Sequence, residues 1–162
     1  MRLSMISLVS SLVLAGSVNA NAGTIVEVAQ GAGQFNTLIA AAQAAGLDGA
    51  LANGENLTVF APTDEAFAEL PDGTIETLLK PENKDQLVAV LSYHVLPRKL
   101  ASTDLPGRTI HVKTIKGSGD KTLSVSKNTS GVTVDNANVI SADIPADNGI
   151  IHVVDKVLLP SN

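Results

Sequence analysis

Imidazole is the side chain best suited to zinc ligation and to proton transfer near neutral pH, and the chain carries three histidines, His94, His111 and His152. No two of them form a His-x-x-x-His pair, and there is no cysteine to assist, so no closely spaced zinc ligand set is present. A serine hydrolase needs a serine in a tight elbow, with a base and its orienting acid converging on it. There is no Gly-x-Ser-x-Gly; Ser92 directly precedes Tyr93-His94, but neighbours along a chain point in different directions, so the adjacency makes no dyad. Gly117-Ser118-Gly119 reads as a hairpin turn and not a phosphate cradle, because no Lys-Ser/Thr pair leads from it into a helix. Asp64 and Asp155 suit a helix cap and a turn or hydrogen-bond partner better than acids in a reaction. Tyr93, the single tyrosine, is either a packing residue whose hydroxyl finds a buried partner or a contact residue for a ligand. These residues indicate no enzyme, no metal and no cofactor.

The elements that hold those residues fall into two halves. Phe35, Leu38, Ile39, Ala42 and Ala45 recur at helical spacing between Gln34 and Leu47, and Gly46 supplies a stop. Asn53-Gly54-Glu55-Asn56 is a turn cluster, and Leu57 to Ala61 behind it reads as a buried strand that Pro62 ends. Thr63 or Asp64 can cap a short helix over Glu65–Leu70, with further helices around Ile75–Leu79 and Glu82–Ser92. From His94 onward the period becomes alternating. Ile110 to Thr114, Leu123 to Val125 and Val132 to Val134 read as half-buried strands joined by hairpins. Gly149 to Leu159 is apolar on both faces, which places it at the centre of a sheet. Helices first and strands second define an α+β domain.

Composition sets further bounds. Of 162 residues the first 22 read as a secretory leader: Arg2, an apolar run from about Met5 to Gly16, then small residues at Val18, Ala20 and Ala22. The run is too short for a membrane span. Cleavage after Ala20 and cleavage after Ala22 both satisfy the small-x-small rule, leaving one domain over residues 23–162 in the periplasm or the extracellular medium, with no membrane span. With no cysteine, that domain must be stabilised by burial alone, and lipid attachment through an N-terminal cysteine is excluded. Aromatic content is 2%, so stacking platforms for bases or sugars are scarce. The net charge of −5 repels phosphate backbones and argues against nucleic acid as a partner. Lysine and arginine are scattered through a mildly basic middle, either a local patch or an ordinary solvated face.

Two segments are distinctive together: Leu57-Thr58-Val59-Phe60-Ala61-Pro62-Thr63-Asp64-Glu65-Ala66-Phe67, and Asn148-Gly149-Ile150-Ile151-His152-Val153-Val154-Asp155-Lys156-Val157-Leu158. They resemble the two signature segments of fasciclin-like domains, and Leu91-Ser92-Tyr93-His94-Val95-Leu96 between them resembles that family's Tyr-His motif. The resemblance implies a fasciclin-like fold, an N-terminal helical layer packed on a wedge of mostly antiparallel strands, and a secreted or cell-envelope adhesion module. Its partner-binding positions correspond to Tyr93, His94, Asp143 and Ile144. The implied partner is a cell-surface or extracellular-matrix protein or a polysaccharide. An alternative is a carrier of a small apolar ligand, a pigment or lipid, in a groove between the layers, for which Ala40-Ala41-Ala42 and Ala44-Ala45 would leave room.

Overall fold

The computed structural model describes residues 23–115 and 122–159, so the leader and the Gly117-Ser118-Gly119-Asp120 turn lie outside the described residues. The chain opens with three helices, α1 (Ile25–Ala32), α2 (Asn36–Ala45) and α3 (Asp48–Asn53), then enters β1 (Leu57–Pro62). Three more follow, α4 (Asp64–Ala68), α5 (Thr74–Leu78) and α6 (Lys84–Tyr93). The strand half comprises β2 (Val95–Leu96), β3 (Ile110–Lys113), β4 (Thr122–Asn128), β5 (Gly131–Val134), β6 (Ala137–Ala146) and β7 (Gly149–Val154).

Local chemistry accounts for the helix ends. α1, which sequence periodicity leaves as an apolar lead, starts in a capping box: Thr24 Oγ1 accepts from Glu27 N, and Glu27 Oε2 accepts from Thr24 N at 2.7 Å. α2 closes on Gly46 in the left-handed region at φ 74°. Of the two candidate caps for α4, Thr63 does the capping, accepting from Ala66 N at 3.2 Å. Asp64 caps a different helix: its carboxylate accepts from Thr37 N at 2.8 Å and from Asn36 Nδ2 at 3.0 Å, joining α4 to the first turn of α2.

The seven strands run in the order β2-β1-β7-β6-β5-β4-β3. β1 and β7 are parallel, from Leu57 opposite Gly149 to Pro62 opposite Val154, and every other pair is antiparallel. Past β3, Ile115 N donates to Val95 O of β2 at 2.9 Å, so the sheet curls until its two ends meet. β7 is buried at all six positions, as its two apolar faces require, although β6 holds the middle place and the chain leaves the strand at Asp155.

Two cores lie on opposite sides of the β1–β7 pair. Val59, Ala61, Ile151 and Val153 face the helices, where they meet Ile25, Leu38, Ala42, Leu87 and Leu91. Phe60 and Val154, one residue out of phase, face the curled strands and meet Leu96, Leu123, Val125, Val134 and Leu158. Burying each branched aliphatic side chain contributes about 1.5–3 kcal/mol, and here both periods of the same strands contribute. Gly149 makes the pairing possible: a Cβ there would lie 1.9 Å from Leu57 O.

Candidate functional site

The four positions singled out from sequence divide between the interior and the surface. Tyr93 ends α6 and is 2% exposed. Its hydroxyl donates between Asp135 Oδ2 at 2.9 Å and Thr122 O at 3.0 Å. Asp135 sits in the β5–β6 turn at φ 51° and also accepts from Ser124 N through Oδ1 at 2.9 Å. Tyr93 therefore pins the last helix to the far end of the curled sheet.

His94 caps the same helix and is 1% exposed. Leu158 N donates to its Nε2 at 2.9 Å, which fixes the proton on Nδ1, and Nδ1 donates to Val90 O at 2.7 Å. Burial lowers its pKa from 6.5 to about 4, against the opposing hydrogen bond to Val90, so the ring is neutral at pH 7. His94 ties the segment after β7 to α6.

Asp143 and Ile144 stand in an irregular stretch of β6, where pairing with β7 shifts register between Val139 and Ser141 and again between Ser141 and Ile144. Asp143 is in the left-handed region at φ 58°, with its carboxylate exposed, while Ile144 is half-buried against the helical core. The Asp143 carboxylate accepts from Ser102 N at 2.7 Å and, through a short bond, from Ser102 Oγ. Burial would raise its pKa; the two bonds from Ser102, with His152 and Lys127 nearby, outweigh that and hold the carboxyl below its ordinary range.

These bonds belong to a strap, Pro97–Leu105, that closes one end of the wedge and contains a 3-10 turn at Ser102–Asp104. Thr58, fully buried in β1, donates through Oγ1 to Arg98 O and accepts from Leu100 N, both at 2.7 Å. His152 of β7 accepts from Asp143 N at Nδ1 (3.2 Å) and donates from Nε2 to Leu100 O (2.7 Å), its ring stacked on Phe60 with centroids 5.4 Å apart. Burial lowers the His152 pKa more than Leu100 and Asp143 raise it. Lys127 Nζ donates to Ser102 O at 3.0 Å. Asp143 and His152 thus share one network with the strap, and Tyr93 and His94 belong to separate anchors.

Chemically the network holds a loop in place: the Asp143 carboxylate is taken up by Ser102 N and Oγ, and the His152 ring by the amide of Asp143 and the carbonyl of Leu100. Leu100 and Ser102 lie outside the signature segments, and Thr58, though within the first of them, stands out only as a hydroxyl in an otherwise apolar strand, which has to find partners once buried. Among the described residues, no three His, Cys, Asp or Glu side chains gather as a metal group. An apolar cavity of about 40 Å³, lined by Ile25, Ala29, Leu38, Ala42, Leu51 and Ile151 among others, lies between the first three helices and the sheet. No helix among the described residues is long and apolar enough to cross a membrane.

The comparisons with known proteins agree with this architecture. Protein sll1483 of Synechocystis sp. (strain ATCC 27184 / PCC 6803 / Kazusa) is 47% identical over 150 residues, spanning 93% of this chain and 81% of that protein. The transforming growth factor-beta-induced protein ig-h3 of Sus scrofa is 42% identical over 138 residues, 85% of this chain but 19% of its own length. Among solved structures, a FAS1 domain pair from the insect cell adhesion molecule fasciclin I superposes with a TM-score of 0.52 at 21% identity, over 82% of this chain and 46% of that one, a likeness of fold. The family model of the fasciclin domain matches residues 33–160, and the chain belongs to the fasciclin domain family.

Proposed function

We propose that the domain is an exported adhesion and interaction module, working in the periplasm or outside the cell once residues 1–22 are removed, and recognising a protein or polysaccharide partner. The observation that carries this reading is the fasciclin-domain match over residues 33–160, because that family is one of adhesion modules and not of enzymes. Partner contact falls to Asp143 and Ile144 at the exposed irregularity of β6, next to the strap. Tyr93 and His94, both buried, act indirectly, by fixing α6 to the curled sheet and to the segment after β7.

The apolar cavity favours a second reading, a carrier of a small apolar ligand. At about 40 Å³ it has room on the scale of a few water molecules, so a pigment or lipid requires α1 to α3 to move away from the sheet. The two readings separate on the mature protein recovered from its native envelope or medium. A visible absorption band or extractable lipid sinks the adhesion reading. A colourless, lipid-free protein that captures an envelope component supports it, with capture lost in Asp143→Ala while circular dichroism stays unchanged. Normal capture by that variant removes Asp143 from the site.

A further inference from the structure

Charge is unevenly divided along this chain. Between Gly23 and Tyr93 there are ten aspartates and glutamates and two lysines; between His94 and Val134 there are seven lysines and arginines and two aspartates. The fold turns this into two faces. Glu65, Glu69, Asp72, Glu76, Glu82 and Asp85 are all exposed on α4 to α6 and their connections. Arg98, Lys99, Arg108 and Lys113 are all exposed on the strap, the segment after it and β3.

Four of the basic residues gather at one end of the wedge. Arg98 and Lys99 stand on the strap, Lys127 reaches it through Ser102 O, and Arg108 precedes Ile110, whose partner Val125 leads along β4 to Lys127, whereas Lys113, opposite Thr122, lies at the other end of β4. Nearby carboxylates are occupied by other donors. Asp104 accepts from Ala101 N, Asp135 from Tyr93 and Ser124, Asp143 from Ser102, and Asp155 from Asn138. Among the described residues, the side chains of Arg98, Lys99, Arg108 and Lys113 have no carboxylate partner.

Resting on the adhesion reading, we propose that this basic end binds an acidic polysaccharide, one bearing carboxylate or sulfate groups. A neutral polymer is read largely by stacking sugar rings on aromatic side chains, and here all three phenylalanines and the one tyrosine are at most 5% exposed, with no tryptophan in the chain. What the end presents is cations among small polar groups, Ser102, Thr103, Thr109 and His111, a surface matched to a hydrated polyanion. The acidic helical face repels the same polymer and so confines it to the strap end.

The test is affinity electrophoresis of the protein secreted with its own leader, through gels containing dextran sulfate, polygalacturonate or unsubstituted dextran. Retardation is expected in the first two and not in the third. It should disappear near 1 M salt, where the Debye length is about 3 Å. The triple variant R98A/K99A/R108A should bind at least about tenfold more weakly, with circular dichroism unchanged, whereas K80A/K84A on the helical face should bind like the parent. Equal affinity of the triple variant, retardation by dextran itself, or equally tight binding to duplex DNA overturns the proposal. A protein that captures another envelope component but passes both acidic polymers freely also overturns it while leaving the adhesion reading intact. Capture of nothing defeats both.

Discussion

Acid should loosen this domain through His94 well before its carboxylates titrate. The ring is 1% exposed, with Nδ1 donating to Val90 O and Nε2 accepting from Leu158 N. Protonating Nε2 would place two donors face to face and bury a charge, and the folded pKa is accordingly near 4 against 6.5 for an ordinary histidine. In the unfolded chain the ring takes up its proton as pH falls through 6.5; in the folded chain it does not until about 4. Over that window the unfolded state holds more protons, so stability falls as pH falls, by up to about 1.4 kcal/mol per pH unit and roughly 3 kcal/mol in all. His152 is shifted in the same direction and adds to the slope. Asp64 and Asp143 are lowered from 3.8, so their contribution is present above that value and is lost only as pH falls through their lower folded values. Urea unfolding of the parent and of His94→Gln at intervals from pH 7.5 to 4.5 isolates the effect. The variant starts less stable at pH 7.5 and its pH slope is shallower by up to one proton. Parallel slopes, or a folded-state NMR titration of His94 near 6.5, refute the reasoning.

Gly149→Ala should abolish cooperative thermal unfolding or cost more than about 3 kcal/mol, because its Cβ would sit 1.9 Å from Leu57 O with no flexible side chain to give way. Thr58→Val keeps the shape of the buried side chain but strips partners from Arg98 O and Leu100 N; a loss of about 1–3 kcal/mol is expected, with faster hydrogen exchange at Leu100. Asp64→Ala should cost about 1 kcal/mol and speed amide exchange in the first turn of α2 more than in α4, the reverse of the pattern for Thr63→Ala. Asp143→Asn keeps a residue that tolerates the left-handed region, so the fold survives while the exchange of Ser102 N–H accelerates severalfold.

Much of this fold is legible from periodicity, because α2, α6, β1 and β7 each carry a full apolar face. Elements that lack such a face escape. α1 carries a Thr24-x-x-Glu27 capping signature that spacing of apolar residues alone does not pick up. β6 has no clean alternation because two register shifts and a left-handed Asp143 break it, and Pro145 lies within it. The candidate site is legible in type and less so in place. Tyr93 and His94 stand out as a motif, but whether a polar side chain points inward depends on partners such as Thr122, Asp135 and Leu158, which lie far along the chain and announce nothing locally. Asp64 is the clearest case: a cap by residue type, one of two candidates for the helix that follows it, while its actual partners, Asn36 and Thr37, are brought to it only by folding.

The parallel pairing of β1 with β7 has a consequence for how the domain comes into being. β1 belongs to the first half of the chain and β7 ends only at Val154, yet each supplies one wall of both cores. A nascent chain that lacks β7 leaves its helices only β1 to pack on, and leaves β1 open along the edge that β7 pairs. Closure of so long a loop is slow and comes late. The topology thus makes both cores wait on the last strand of the chain, so a chain cut short before Gly149 can complete neither.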